Sequence, residues 1–151
     1  MGLNAIGTKT ASFLKRLMQG VPKDQRILAE MDYFRLHALL TAEDKEKCIL
    51  RKRNSKRLRQ ILKQGHLIPF KLVPHTVVTM NSEVLLRTPR GTAVNITLVY
   101  PKDKDRKKRK ISGLSRLGLC ILGKRAGEMV SRSIVVEKIL FQPEISNQFA
   151  L

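Results

Sequence analysis

From Asp24 to Gln64 the chain contains neither glycine nor proline, whereas beyond Val73 both punctuate short runs rich in Val, Ile, Leu and Thr. An unbroken stretch of good helix formers reads as one or two helices, and short β-branched runs bounded by turn residues read as strands. The texture therefore divides the chain into a helical first part and a sheet-forming second part, an α+β class. Its 151 residues suffice for one ordinary domain or a small one with an appendage. The boundaries expected are an N-terminal arm over 1–23, an antiparallel helical hairpin over 24–68, a linker over 69–74 and a sheet domain with one short helix over 75–151.

Within the first part, Phe34, Leu36, Leu39 and Leu40 give a short apolar stripe on a helix starting near Asp24 or Gln25. Thr41 then has the character of an N-cap, with Glu43 and Asp44 suited to the first turn of a second helix running from about Ala42 to Gln64. Ile49, Leu50, Leu58, Ile61 and Leu62 are spaced for one face of it, and Gly65 is its expected stop. Two helices with a tight connection make a hairpin, in the limit a short coiled coil. In the arm, Phe13, Leu14, Leu17 and Met18 face away from Lys15 and Arg16, a pattern that suits a docking helix and equally a frayed arm.

In the second part, Thr76–Thr88 and Thr92–Tyr100 are the clearest strands, with Pro89, Arg90 and Gly91 as the turn between them. Lys102 to Lys110 holds seven basic and two acidic residues and is expected as a solvated loop. Leu114 to Gly123 reads as a short helix, and Val130 to Phe141 as the last strand, closed by Pro143.

Charge decides which partners such a chain keeps. Thirty Lys and Arg against twelve Asp and Glu leave a net charge of +18, which favours polyanions or acidic protein surfaces. At 42% hydrophobic residues the chain is not disordered by composition, and with 5% aromatics its core is mostly aliphatic. The apolar runs are too short for a membrane span, and Lys15 and Arg16 interrupt any secretory signal. Cys48 and Cys120 form no CxxC pair, and His37, His66 and His75 are scattered, so a cytoplasmic setting without disulfide or structural metal is expected.

Chemistry-bearing motifs are few. Gly118-Leu119-Cys120-Ile121-Leu122-Gly123-Lys124 satisfies the first seven positions of a P-loop, but Arg125 replaces the Mg²⁺-holding Ser or Thr, and Leu-Cys-Ile-Leu suits a packing helix better than a phosphate cradle. Gly113-Leu114-Ser115-Arg116-Leu117 lacks the second glycine of a nucleophile elbow. No small-molecule substrate, cofactor or enzymatic activity is therefore expected. Glu43, Asp44 and Glu46 cluster at the expected hairpin tip, where they suit a shared cation or simply the dipole of a helix N-terminus. Lys45, Lys47, Arg51, Lys52, Arg53, Lys56, Arg57, Arg59 and Lys63 surround the apolar stripe of the second helix, answered there only by Glu46. A solvated face and a polyanion-binding face both fit that pattern. With Arg106, Lys107, Lys108, Arg109 and Lys110 in the basic loop, these cations from Arg51 onward are the candidates for contacting DNA or RNA phosphates, without aromatics enough for base stacking.

Four separated motifs lie in consistent order over about residues 75–146: Pro74-His75-Thr76-Val77-Val78-Thr79-Met80-Asn81-Ser82, Thr97-Leu98-Val99-Tyr100-Pro101, Leu117-Gly118 with Ile121-Leu122-Gly123-Lys124-Arg125-Ala126-Gly127-Glu128, and Leu140-Phe141-Gln142-Pro143-Glu144. Together they resemble the Rnk family, the regulators of nucleoside diphosphate kinase, which is related to the C-terminal domain of the Gre transcript-cleavage factors. Asp32-Tyr33-Phe34-Arg35-Leu36 and Leu39-Leu40 match more loosely, where Rnk-like proteins enter a short coiled coil. The resemblance implies a helical hairpin followed by an FKBP-like domain without prolyl isomerase activity. It also implies docking on RNA polymerase at the secondary channel, with Ser112, Leu117, Gly118, Gly123, Lys124, Arg125, Gly127 and Glu128 as docking candidates. Rnk-like members are expected to bind polymerase without stimulating transcript cleavage. Arg116 stands where the family usually has Pro, an exchange expected to loosen the start of the short helix. The stretch between Glu128 and Gln142 is shorter than the family's strand–turn–strand, which predicts a truncated hairpin.

Overall fold

The fold is seen in a computed structural model that describes residues 21–22, 24–43, 52–131 and 133–143. Its largest element is a five-stranded sheet. Strands β3 (Glu83–Arg87) and β4 (Ala93–Val99) pair antiparallel from Glu83↔Thr97 to Arg87↔Ala93. The turn between them is closed by Thr88 N–H donating to the Thr92 carbonyl at 2.9 Å, with Gly91 at φ +80°. The other edge of β3 takes β7 (Ile134–Phe141), which pairs with the short β6 (Met129–Ser131). Beyond β4, β5 (Lys110–Ser112) adds in parallel, giving the order β5-β4-β3-β7-β6. Along β3, Val84 and Leu86 are buried and Arg87 is exposed, the alternation of a sheet with one covered face.

The strand expected from Thr76 starts seven residues later, at Glu83. Its β-branched residues instead build a packed turn. Thr79 N–H donates to Ser82 Oγ at 3.1 Å, Ser82 N–H returns to the Thr79 carbonyl at 3.2 Å, and Asn81 takes a left-handed φ of 65°. Val77, Val78 and Met80 are buried within it. The last strand is likewise two: β6 and β7 form a tight hairpin, so the shortened stretch still supplies an edge strand.

The first helix begins later than its composition suggests. Ile27–Ala29 is a strand, β1, pairing parallel with β2 (His66–Ile68) in the register Ile27↔His66 to Ala29↔Ile68. All three residues of β1 are buried, a demand that one face of a helix cannot meet. Helix α1 then spans Glu30–Glu43. Thr41 is inside it and is not an N-cap: its Oγ1 donates back to the carbonyls of Ala38 at 3.0 Å and His37 at 3.2 Å. Helix α2 spans Lys52–Gln64, buries Leu58, Ile61 and Leu62, and stops at Gly65, whose N–H closes on the Ile61 carbonyl at 2.8 Å. The second helix expected from Ala42 does not start there, because Ala42 and Glu43 still belong to α1, whose hydrogen-bonded turns run on past Thr41; Ile49 and Leu50 lie in 44–51, outside the described residues.

Both helices share a core with the sheet. Leu36 and Leu40 of α1 and Leu58, Ile61 and Leu62 of α2 pack in one cluster with Val84, Leu86, Ile96 and Leu98 of the strands. Leu119 and Ile121 of the short α3 (Arg116–Ile121) complete it. A second, smaller cluster gathers Ile27, Ala29, Ile68, Val73 and Val77 around the β1–β2 pair. Between β2 and that cluster, residues 69–74 hold a 3₁₀ turn over Phe70–Leu72 and bury Val73. Among the described residues no helix is long and apolar enough to cross a membrane.

Candidate functional site

The residues that carry the motifs are drawn together by the fold around α3, and several of them hold it in place. Ser115 caps the helix, its Oγ accepting from Gly118 N–H at 3.1 Å and donating to the Ser112 carbonyl at 2.6 Å. This cap holds Arg116 at the first helical position, so the loosening expected at the start of the helix is not seen. Gly118 lets the helix lie directly on the 112–113 backbone: a Cβ there would collide with the Ser112 carbonyl and sit 2.8 Å from Gly113 Cα. At the other end Gly123, at φ +76°, donates to the Val78 carbonyl at 2.9 Å and accepts from Ile27 N–H at 3.0 Å. The P-loop-like run is thus a buried helix, Gly118 to Ile121, and not a phosphate cradle.

The charged members of the same motif form a small surface cluster. Glu128 accepts from Arg125 Nη1 at 3.1 Å and lies 3.8 Å from Lys124 Nζ, all three being partly exposed. The turn under them is tied down by Ala126 N–H to the Thr76 carbonyl at 2.7 Å and Gly127 N–H to the Val136 carbonyl at 2.6 Å. Of the eight docking candidates, Gly118 and Gly123 are buried, Ser112 and Leu117 are half-buried, and Lys124, Arg125, Gly127 and Glu128 present the accessible surface.

Three further residues join distant motifs, and their roles are not legible in the sequence alone. Asp32, buried on α1, accepts from Met80 N–H at 3.0 Å and from the Tyr100 hydroxyl at 3.2 Å, so it pins the helix to two of the sheet-domain motifs. Burial and the neighbouring Asp32 carboxylate push the Tyr100 phenol well above its ordinary range, and the Arg35 guanidinium lies 5.9 Å from the ring centre. Gln142, buried after β7, donates to the carbonyls of Pro74 and Val77 at 2.8 Å each. Arg26, just before β1, sends Nη1 to the carbonyls of Leu119 and Leu122 at the C-terminal end of α3, the second at 2.8 Å. Asp32 and Gln142 stand in the sequence as members of motifs, without a sign of their partners, and Arg26 carries no signal at all.

The basic candidates separate into two places. On α2, Lys52, Arg53, Lys56, Arg59 and Lys63 are exposed and Arg57 is half-buried, and Arg51 is outside the described residues. In the 100–109 connection, Asp105 Oδ1 accepts from Lys107 N–H at 3.0 Å and Lys108 N–H at 3.3 Å, forming a turn that leaves Arg106, Lys107, Lys108 and Arg109 exposed. Lys110 departs from the expected solvated loop, because it opens β5 opposite Thr97 and is half-buried. The helix stripe backs onto the core, while the loop joins β4 to the sheet edge. Of the acidic trio, Glu43 ends α1, and Asp44 and Glu46 are outside the described residues.

Residues 73–141 match the model of the family described as transcription elongation factor GreA/GreB, C-terminal. The regulator of nucleoside diphosphate kinase of Escherichia coli strain K12 is 32% identical over 88 residues, which cover 52% of this chain and 65% of that protein. Its counterpart in Shigella flexneri gives the same 32% identity with the same coverage. The chain thus spans a little under two thirds of the length of these curated relatives. Among solved structures, a prokaryotic transcription elongation factor GreA/GreB from Nitrosomonas europaea superposes with a TM-score of 0.64 at 27% identity, covering 78% of this chain and 98% of that one.

Proposed function

Because residues 73–141 match the C-terminal domain of the GreA/GreB transcription elongation factors, we propose that this protein is a non-enzymatic regulator of transcription elongation that binds RNA polymerase. The observation that carries this reading is the family match over a domain whose motif residues are the ones holding α3, the 76–82 turn and β7 together. In this reading the sheet domain is FKBP-like and docks through the surface around Lys124, Arg125 and Glu128. The helices α1 and α2 act as a hairpin, a short coiled coil, directed into the secondary channel of a cytoplasmic polymerase.

Transcript cleavage is not part of this proposal. The acidic residues near the helix connection, Glu43, Asp44 and Glu46, do not reproduce the cleavage factors' acidic tip, and the helix that follows is strongly basic. Backtracked elongation complexes supplied with the wild-type chain are expected to cleave no faster than without it. Stimulation abolished by Glu43→Ala and Asp44→Ala together would establish an enzymatic accessory role instead.

A second reading rests on the exposed cations of α2. A nucleic-acid module using Arg53, Lys56, Arg59 and Lys63 with the 106–109 turn would bind phosphates with little sequence preference, and its affinity would fall steeply with salt. Co-purification with endogenous polymerase, with and without nuclease treatment, separates the two. Retention of polymerase after nuclease supports direct docking, and loss assigns the association to bridging nucleic acid.

A further inference from the structure

The cations of α2 divide between a cleft and the open surface. Arg53, Lys56, Arg57, Gln60 and Gln64 recur at intervals of three and four and line a cleft of about 840 Å³ closed on the other side by Asp24, Gln25 and Arg26. Arg59 and Lys63 lie outside it. The cleft therefore gathers four cations against the single carboxylate of Asp24, and among the described residues none of the ion pairs involves any of the four. Arg26 is fixed in place by the neutral carbonyls of Leu119 and Leu122, which orient the guanidinium without cancelling its charge. Burial and the nearby Arg57 both press the Arg26 pKa below its usual value, so the cleft brings like charges together in an environment poorer in water than the surface.

We propose that this cleft binds a compact polyphosphate, either an inorganic chain or the phosphates of a nucleotide. Several cations converging from two sides on one concavity match several negative charges on a short ligand, whereas a nucleic-acid backbone follows an open groove or a convex face. The cleft volume lies within the range of small-molecule sites. Guanidinium groups give phosphate oxygens paired hydrogen bonds, and Gln60 and Gln64 offer neutral donors between them. Paired carboxylates and activated nucleophiles are absent from the lining residues, so the ligand is held and not transformed. The cleft is lined by α2 and the 22–26 segment and shares no residue with the Lys124–Glu128 docking surface.

Calorimetric titration of the full chain with tripolyphosphate, at about physiological ionic strength, tests the proposal. One saturable site per chain is expected, weakened roughly tenfold by Arg53→Gln and by Arg57→Gln, as befits loss of one charged hydrogen-bonding group. Lys63→Gln, on the same helix but outside the cleft, should change affinity by less than about twofold if the cleft rather than net charge is responsible. A parallel titration with a nucleoside triphosphate identifies the source: tighter binding marks a nucleotide site, equal binding an inorganic-chain site. Absence of saturable binding would overturn the proposal. So would an equal loss in Lys63→Gln and Arg57→Gln, or a single-stranded oligonucleotide that binds through Arg53 and Arg57 and is not displaced by tripolyphosphate.

Discussion

At the scale of single residues, Asp32 ties α1 to the sheet domain by buried hydrogen bonds that add to the shared apolar core. Its carboxylate satisfies Met80 N–H and the Tyr100 hydroxyl, both buried. Asp32→Ala would leave those donors without their acceptor and is expected to cost about 2–3 kcal/mol in urea unfolding, the penalty for stranding buried donors. A loss under about 0.5 kcal/mol, typical of a surface change, would show that the contact contributes little. Tyr100 makes a pH prediction with a definite sign. An unfolded tyrosine ionises near pH ~10, while burial and Asp32 keep the native phenol protonated beyond that. Above that pH the unfolded state sheds a proton that the native state retains, so stability falls as pH rises. Tyr100→Phe should flatten this alkaline limb, and an unchanged slope between wild type and variant would refute the assignment. Asp32 and Tyr100 were both visible as members of motifs, but their hydrogen bond spans a separation that no local pattern encodes. Gly118 was visible too, and only the packing explains it: Gly118→Ala forces a methyl into the Ser112 carbonyl, with an expected loss of at least about 2 kcal/mol.

At the scale of elements, two hydroxyl residues exchange the roles that their positions suggest. Thr41 has the sequence context of a cap and lies inside α1, whereas Ser115 precedes a glycine-containing apolar run and is the cap of α3. Thermal unfolding should therefore show Thr41→Ala within about 0.5 kcal/mol of wild type, and Ser115→Ala destabilised by about 1 kcal/mol. The reverse order would contradict the helix boundaries. Leu36 and Leu40 of α1, Leu58, Ile61 and Leu62 of α2, the β3–β4 hairpin with its Gly91 turn, and the stop at Gly65 were legible because each follows from a local period or a turn residue, whereas Phe34, expected on the same stripe, is exposed because it points away from the face that α1 packs on the core. The β1–β2 pair was not, because Ile27-Leu28-Ala29 is too short to show a period and is made a strand by partners at His66–Ile68. The same holds for Thr76–Ser82, where β-branched residues fill a buried turn and a left-handed Asn81 ends what composition presents as one continuous strand.

At the scale of the whole molecule, the +18 charge and the family match concern different surfaces. Much of the accessible positive charge is on α2 and in the 106–109 turn, while the motif residues lie inside the sheet domain or in the Lys124–Glu128 cluster. The resemblance could be found from sequence because those residues fix glycine approaches, caps and buried hydrogen bonds that a relative must reproduce to keep the fold. Of the docking candidates, Gly118 and Gly123 serve packing, which explains their place in the motif, and Lys124, Arg125 and Glu128 remain accessible. A polymerase-binding regulator with this arrangement should associate through the sheet domain first, with the cations adding a salt-sensitive contribution to capture. The most direct measurement is co-purification of the tagged full chain with endogenous RNA polymerase after nuclease treatment at moderate salt, comparing wild type with Arg125→Glu. Polymerase retained by wild type and strongly reduced in a still-folded Arg125→Glu is the predicted result, and no polymerase with wild type under these conditions would contradict it.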